Sequence, residues 1–140
     1  MIKLYGIEIH DELFELAWND PFIQVKKDSI FLKKADATDI LNYQDWLENG
    51  LFDFIIIRHP EITFNTDVFI KIFSLCVNLL ANTGYLMVTT HFENEKEMLK
   101  LLLKLYKFNV FVEKENKNSP TIEKEGETSY IDRFLLISTK

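Results

Sequence analysis

The chain has 140 residues, 47% of them hydrophobic, which is the size of one domain and enough to bury most of the surface its unfolded form exposes. Its 22 acidic and 16 basic residues give a net charge of −6 with no basic face, so non-specific binding to nucleic acid is unsupported. The single cysteine, Cys76, excludes an internal disulfide. No leader-like N-terminus and no membrane-length apolar run is present, so a cytoplasmic protein with no membrane partner is expected.

In chain order, Ile2 to Glu8 reads as a short strand ending in an acid. Asp11 then caps a helix in which Leu13, Leu16 and Ala17 recur at helical spacing, and Asn19-Asp20-Pro21 stops it. Phe22 to Ser29 reads as a mixed connection, and Ile30 to Lys34 as a second strand running into Ala35-Asp36-Ala37-Thr38-Asp39. A short helix is expected from Ile40 to Glu48, with Gly50 as its left-handed cap.

Phe52 to Ile57 holds four apolar residues in a row, three of them β-branched. That run predicts a strand buried on both faces, the central strand of a parallel sheet. Pro60 ends it, and Arg58, His59 and Glu61 fall at the carboxyl rim, where open α/β sheets bind ligands. Next comes a helix capped by Asn65 or Thr66, with Phe69, Ile72, Phe73, Cys76, Leu79 and Leu80 as one stripe and Asn82-Thr83-Gly84 as its closing turn. Tyr85 to Thr89 is another apolar strand, followed by the rim residues Thr90, His91 and Glu93.

A further helix presents Met98, Leu101, Leu102 and Leu105 on one face and a solvated row of Lys96, Lys100 and Lys104 on the other. Asn109 to Val112 reads as a strand, 113–129 as a long mobile polar connection, and Phe134 to Ser138 as the last strand. Alternating strands and helices predict an α/β fold, a three-layer α/β/α sandwich in one domain spanning 1–140. Its sheet is expected to be mostly parallel, with a C-terminal antiparallel strand pair.

These segments resemble, in order, the class I S-adenosylmethionine-dependent methyltransferases, a Rossmann-like family. Tyr5-Gly6-Ile7-Glu8-Ile9-His10 resembles that family's second strand, Lys33-Lys34-Ala35-Asp36-Ala37-Thr38-Asp39 its third-strand motif, and Phe52-Asp53-Phe54-Ile55-Ile56-Ile57 its fourth strand. Leu79 to Thr89 is similar to its fifth-strand region and Asp132 to Ser138 to its last strand. The resemblance implies S-adenosylmethionine as cofactor, with Glu8 accepting both ribose hydroxyls, Asp36 receiving the adenine amino group, and Ile9 and Ala37 beside them. It also implies a transferase whose methyl acceptor, small molecule or protein, is open.

The chain departs from the family in one respect. The pattern starts at what would be the second strand, and nothing supplies the family's first strand and glycine-rich turn. An exposed central edge then predicts a homodimer or a partner chain completing the sheet. The same departure motivates the alternative of a non-catalytic, methyltransferase-like binding or regulatory module; a nucleotide-binding dehydrogenase domain fits the terminal strand pair less well.

If the chain is an enzyme, His59 is the candidate base, because imidazole titrates near neutral pH. Arg58 would hold an acidic acceptor, and His91 is the second rim histidine. No metal site is expected, since His10, His59 and His91 lack the spacing of local ligands.

Overall fold

The computed structural model describes residues 2–43, 47, 50–124 and 127–140. The chain divides into two compact units, Met1–Gly50 and Leu51–Lys140.

In the first unit, β1 (Leu4–Glu8) and β2 (Ile30–Lys34) pair in parallel, with Leu4 across from Ile30 and Glu8 across from Lys34. Parallel strands need a crossover. Here it is made by α1 (Asp11–Trp18) and α2 (Pro21–Val25). The residues expected only to stop α1 also start α2. The Asp20 carboxylate accepts the Phe22 N–H at 2.8 Å, and Pro21 occupies the first helical position, where its missing N–H leaves no bond unmade. Part of the expected connection is therefore helical.

On α1 the half-buried residues are Phe14 and Ala17, while Leu13 and Leu16 are exposed. Phe14 stacks on Trp18 with ring centres 6.1 Å apart. After β2 a 3₁₀ helix runs from Ala37 to Tyr43. The helix expected over Ile40 to Glu48 is thus tighter and begins earlier, and Gln44–Trp46 and Glu48 of that expectation lie outside the described residues. Gly50 does not adopt a left-handed φ.

The second unit is built on a four-stranded sheet of order β3-β4-β8-β5. β3 (Phe52–Arg58) runs parallel to β4 (Leu80–Thr90), and β8 (Phe134–Thr139) runs antiparallel to both β4 and β5 (Asn109–Glu115). The C-terminal antiparallel pair is found as expected. The mostly parallel character is not, because β8 enters between β4 and β5 and replaces a parallel contact by two antiparallel ones. It arrives without a helical crossover. In place of the expected mobile connection, β5 continues to Glu115, and β6 (Thr121–Lys124) and β7 (Glu127–Tyr130) pair antiparallel in a small sheet of their own. Such a ladder is satisfied by backbone groups and needs no long apolar run.

β3 is not a central strand. It ends its sheet with β4 as its neighbour, and its side chains alternate. Phe54 and Ile56 are 56% and 60% exposed, whereas Ile55 and Ile57 pack against the core. A β-branched run shows that a strand forms, and does not reveal how many neighbours the strand acquires.

Both long helices, α3 (Thr66–Leu79) and α4 (Glu93–Leu105), supply the core on one face of this sheet. Phe73 and Cys76 from α3 meet Leu99, Leu102 and Leu103 from α4 over Leu86, Val88 and Leu136. The Tyr106 hydroxyl donates to the Ile70 carbonyl at 2.9 Å and ties the two helices together.

The stripe expected on α3 is borne out at Phe73 and Cys76. On α4 the buried residues are Glu95, Leu99, Leu102 and Leu103, while Leu101 and Leu105 face outward. The three consecutive leucines 101–103 leave the phase of that helix open in the sequence. Lys96 is no solvated lysine: it pairs with Glu93 and Glu113, and its ammonium lies 4.7 Å from the centre of the Phe134 ring. Among the described residues no helix is long and apolar enough to cross a membrane.

Candidate functional site

In the second unit the β3 ladder ends at Arg58 for a local reason. His59 takes φ 49°, in the left-handed region, and the fully buried Pro60 has no N–H to continue the strand. The His59 N–H still reaches the Thr89 carbonyl at 3.0 Å, so the turn is fastened to the end of β4. Asp132, in the turn leading into β8, is also left-handed, with φ 51°. For residues with a Cβ this conformation costs about 1–2 kcal/mol and persists where surrounding contacts enforce it.

Those contacts converge on the Asp132 carboxylate. Its Oδ1 lies 2.6 Å from His59 Nε2 and accepts the Thr89 hydroxyl at 2.5 Å. Its Oδ2 accepts from the Arg58 guanidinium at 2.6 Å. Burial opposes ionisation of Asp132. The hydrogen bonds from Arg58, Thr89 and His59 outweigh it and hold the carboxyl at about 2.

His59 is moved the other way from a charged state. Burial pushes its pKa below the usual histidine value, and the neighbouring His91 adds to this, while Asp132 opposes and Arg58 reinforces. The two imidazoles lie face to face at a tilt, with ring centres 3.9 Å apart. His91 is located by its backbone, because the buried Glu95 carboxylate accepts the N–H groups of His91 at 3.1 Å and Phe92 at 3.2 Å. That carboxylate caps α4, whose N-cap residue, Phe92, has no polar side chain. His91 Nδ1 and Thr90 Oγ1 are buried without a hydrogen-bond partner among the described residues.

This arrangement is chemically a proton acceptor: an imidazole kept neutral near pH 7 and oriented by a carboxylate. The expected rim residues Arg58, His59 and His91 come together. Arg58, expected to hold an acidic acceptor, has its guanidinium on Asp132. Asp132 and Thr89 were not expected at the site. Thr89 was legible only as a strand end, and Asp132 lies 73 residues from His59 in the chain, brought there by the order β4-β8.

In the first unit, Glu8 and Asp36 stand at the carboxyl end of the same parallel pair. The Ala35 N–H bonds the Glu8 carbonyl at 3.1 Å, so the ladder runs just past Lys34 and delivers Asp36 beyond it. Glu8 Oε1 accepts the His10 N–H at 2.8 Å, and Asp36 Oδ1 accepts the Thr38 N–H at 2.8 Å, where it starts the 3₁₀ helix. Ile9 is exposed and Ala37 half-buried beside them. Among the described residues, no group of three or more histidine, cysteine, aspartate or glutamate side chains is arranged to hold a metal ion.

Comparison with protein-family models and with curated proteins finds no match. Solved structures do match over nearly the whole chain. A protein from Clostridium thermocellum assigned as an rRNA methylase is 17% identical, with a TM-score of 0.69 over 99% of this chain and 72% of its own. The N-methyltransferase NodS from Bradyrhizobium japonicum WM9 is 12% identical, with a TM-score of 0.65 over 99% of this chain and 73% of its own. Precorrin-6y C5,15-methyltransferase from Geobacter metallireducens GS-15 is also 12% identical, with a TM-score of 0.65 over 99% of this chain and 67% of its own. Their names point to three different methyl acceptors, so the shared feature is the scaffold. The chain has the α/β fold of the class I S-adenosylmethionine-dependent methyltransferases.

Proposed function

We propose that the protein is a cytoplasmic S-adenosylmethionine-dependent methyltransferase. The observation that carries this reading is the pair of acids, Glu8 and Asp36, at the carboxyl ends of two hydrogen-bonded parallel strands. Open α/β sheets bind ligands outside the carboxyl ends of their strands.

The residues fit the nucleoside part of that cofactor. An ionised carboxylate has two acceptor oxygens at a spacing that suits a vicinal diol, and the His10 N–H holds Glu8 by Oε1 while Oε2 has no hydrogen bond among the described residues. Asp36, pinned by the Thr38 N–H, offers an acceptor for an exocyclic amino group. Ile9 and Ala37 supply flanking surface. When bound, S-adenosylmethionine supplies a methyl group already activated by its sulfonium. The chain's own work is then to bind, to orient and to take up a proton. His59 serves as the base in this reading, and Arg58 holds the aspartate that orients it.

One observation favours a second reading, in which the chain is a non-catalytic binding or regulatory module. Gly6 and Gly84 serve packing. A Cβ at Gly6 would lie 2.7 Å from Leu32 Cδ2, and one at Gly84 would lie 2.9 Å from the Phe52 carbonyl oxygen. Neither is part of a glycine-rich turn of the kind that admits a ligand close to the backbone.

Calorimetric titration with S-adenosylhomocysteine separates the two. The methyltransferase reading predicts saturable binding, weakened about tenfold or more by Glu8→Ala and by Asp36→Ala, as expected for loss of a hydrogen bond to a charged group. Absence of binding to the wild-type chain favours the module.

A further inference from the structure

The contact between His59 and Asp132 determines which ring nitrogen carries hydrogen. The Asp132 carboxylate, facing three donors, is ionised at neutral pH and can only accept. An Oδ1 to Nε2 distance of 2.6 Å therefore requires the hydrogen on Nε2. The Asp132 backbone N–H also points at Nε2, but at 3.2 Å, and a neutral nitrogen accepting from an amide is the weaker of the two arrangements. A neutral imidazole has one N–H and one lone pair. The lone pair consequently falls on Nδ1, which has no hydrogen bond among the described residues. The side chain is 26% exposed, so Nδ1 belongs to a ring that solvent and solutes reach.

Two further features hold this state. The backbone at both His59 and Asp132 is left-handed, which presents the two side chains to each other across the rim. Thr89 and Arg58 each grip one oxygen of the carboxylate, so it cannot rotate away from the ring. The charged and titratable groups facing the imidazole are Asp132 before β8, Arg58 on β3 and His91 after β4.

We infer that Asp132 is a positioning residue that fixes His59 as its Nε2–H tautomer, so that Nδ1 is the atom that takes the proton from a methyl acceptor. The acceptor is accordingly one whose nucleophilic atom carries a proton, such as a hydroxyl, since a thioether or a tertiary amine has none to give. This role towards an acceptor rests on the methyltransferase reading, whereas the tautomer does not.

Long-range ¹H–¹⁵N correlation spectra of the full chain at pH 7.5 read the tautomer directly and need no cofactor. The expected result is a protonated Nε2 and a bare Nδ1 at His59. Asp132→Asn should mix the tautomers and lower the titration midpoint of His59, because the anion that favours imidazolium is gone. Thr89→Val, close to isosteric, guards against a variant that fails to fold. It leaves the carboxylate in place with one donor fewer, so Nε2–H should persist and the midpoint should rise. A protonated Nδ1 in the wild type, or a midpoint unmoved in both variants, overturns the assignment. Absent S-adenosylhomocysteine binding with the Nε2–H tautomer intact would refute the methyltransferase reading alone.

Discussion

Asp132→Asn removes a charge held by three donors, and its effect on stability follows from the carboxyl's position. The group's ordinary value is 3.8 and the folded protein holds it at about 2. At about 1.4 kcal/mol per pH unit this corresponds to roughly 2 kcal/mol. The side chain is 30% exposed, and screening by that solvent brings the expectation to about 1–2 kcal/mol. Because the folded value is depressed, the stabilisation is fully present above about pH 4 and is lost as the pH falls towards 2. Urea unfolding of wild type and variant, followed from pH 7 to pH 2.5, should show a gap of this size at neutral pH that narrows to less than half in acid. His59 widens the gap somewhat as the pH falls through its own range, which burial sets below the usual histidine value, because the wild type then gains an imidazolium–carboxylate attraction that the variant lacks. A gap that persists unchanged at pH 2.5 would refute the reasoning, since it would come from packing and not from an ionised carboxylate.

Gly84→Ala should destabilise the second unit by about 1–3 kcal/mol. The new methyl group would meet the Phe52 and Ala81 carbonyl oxygens at 2.9 and 3.0 Å, backbone atoms that cannot swing aside; a denaturation midpoint equal to wild type would contradict this. Cys76 is buried against the core, and burial pushes its thiol up to about 12. Labelling by an aromatic disulfide reagent at pH 8 should therefore follow the opening of the fold, accelerating with urea, and rapid labelling of the native protein would exclude the packing role.

The strands were legible because their apolar runs are short and bounded by turn residues, as at Ile30 to Lys34 and Phe134 to Ser138. Their neighbours were not. The isoleucines of β3 read alike for a central or a terminal strand, and only the pairing decides that Phe54 and Ile56 face outward. On α4 the leucine run hid the buried phase, and Glu95, a polar residue, proves to be part of the inner face because it caps the helix. In the sequence Pro21 marks a stop for α1, although its fixed φ suits a helix start equally well.

In each unit, the candidate residues that end or closely follow a strand were within reach of the sequence: Glu8 and Asp36 in the first, and Arg58, His59 and His91 in the second. Asp132 and Thr89 were not, since their role depends on β8 lying beside β4. Nor does any local pattern announce a left-handed histidine.

The most direct measurement is amide mapping by ¹H–¹⁵N spectra of the full 140-residue chain titrated with S-adenosylhomocysteine. The account predicts saturable shifts concentrated at Glu8, Ile9, Asp36 and Ala37. Spectra that do not change at millimolar ligand, or shifts that cluster away from the carboxyl ends of β1 and β2, would contradict it.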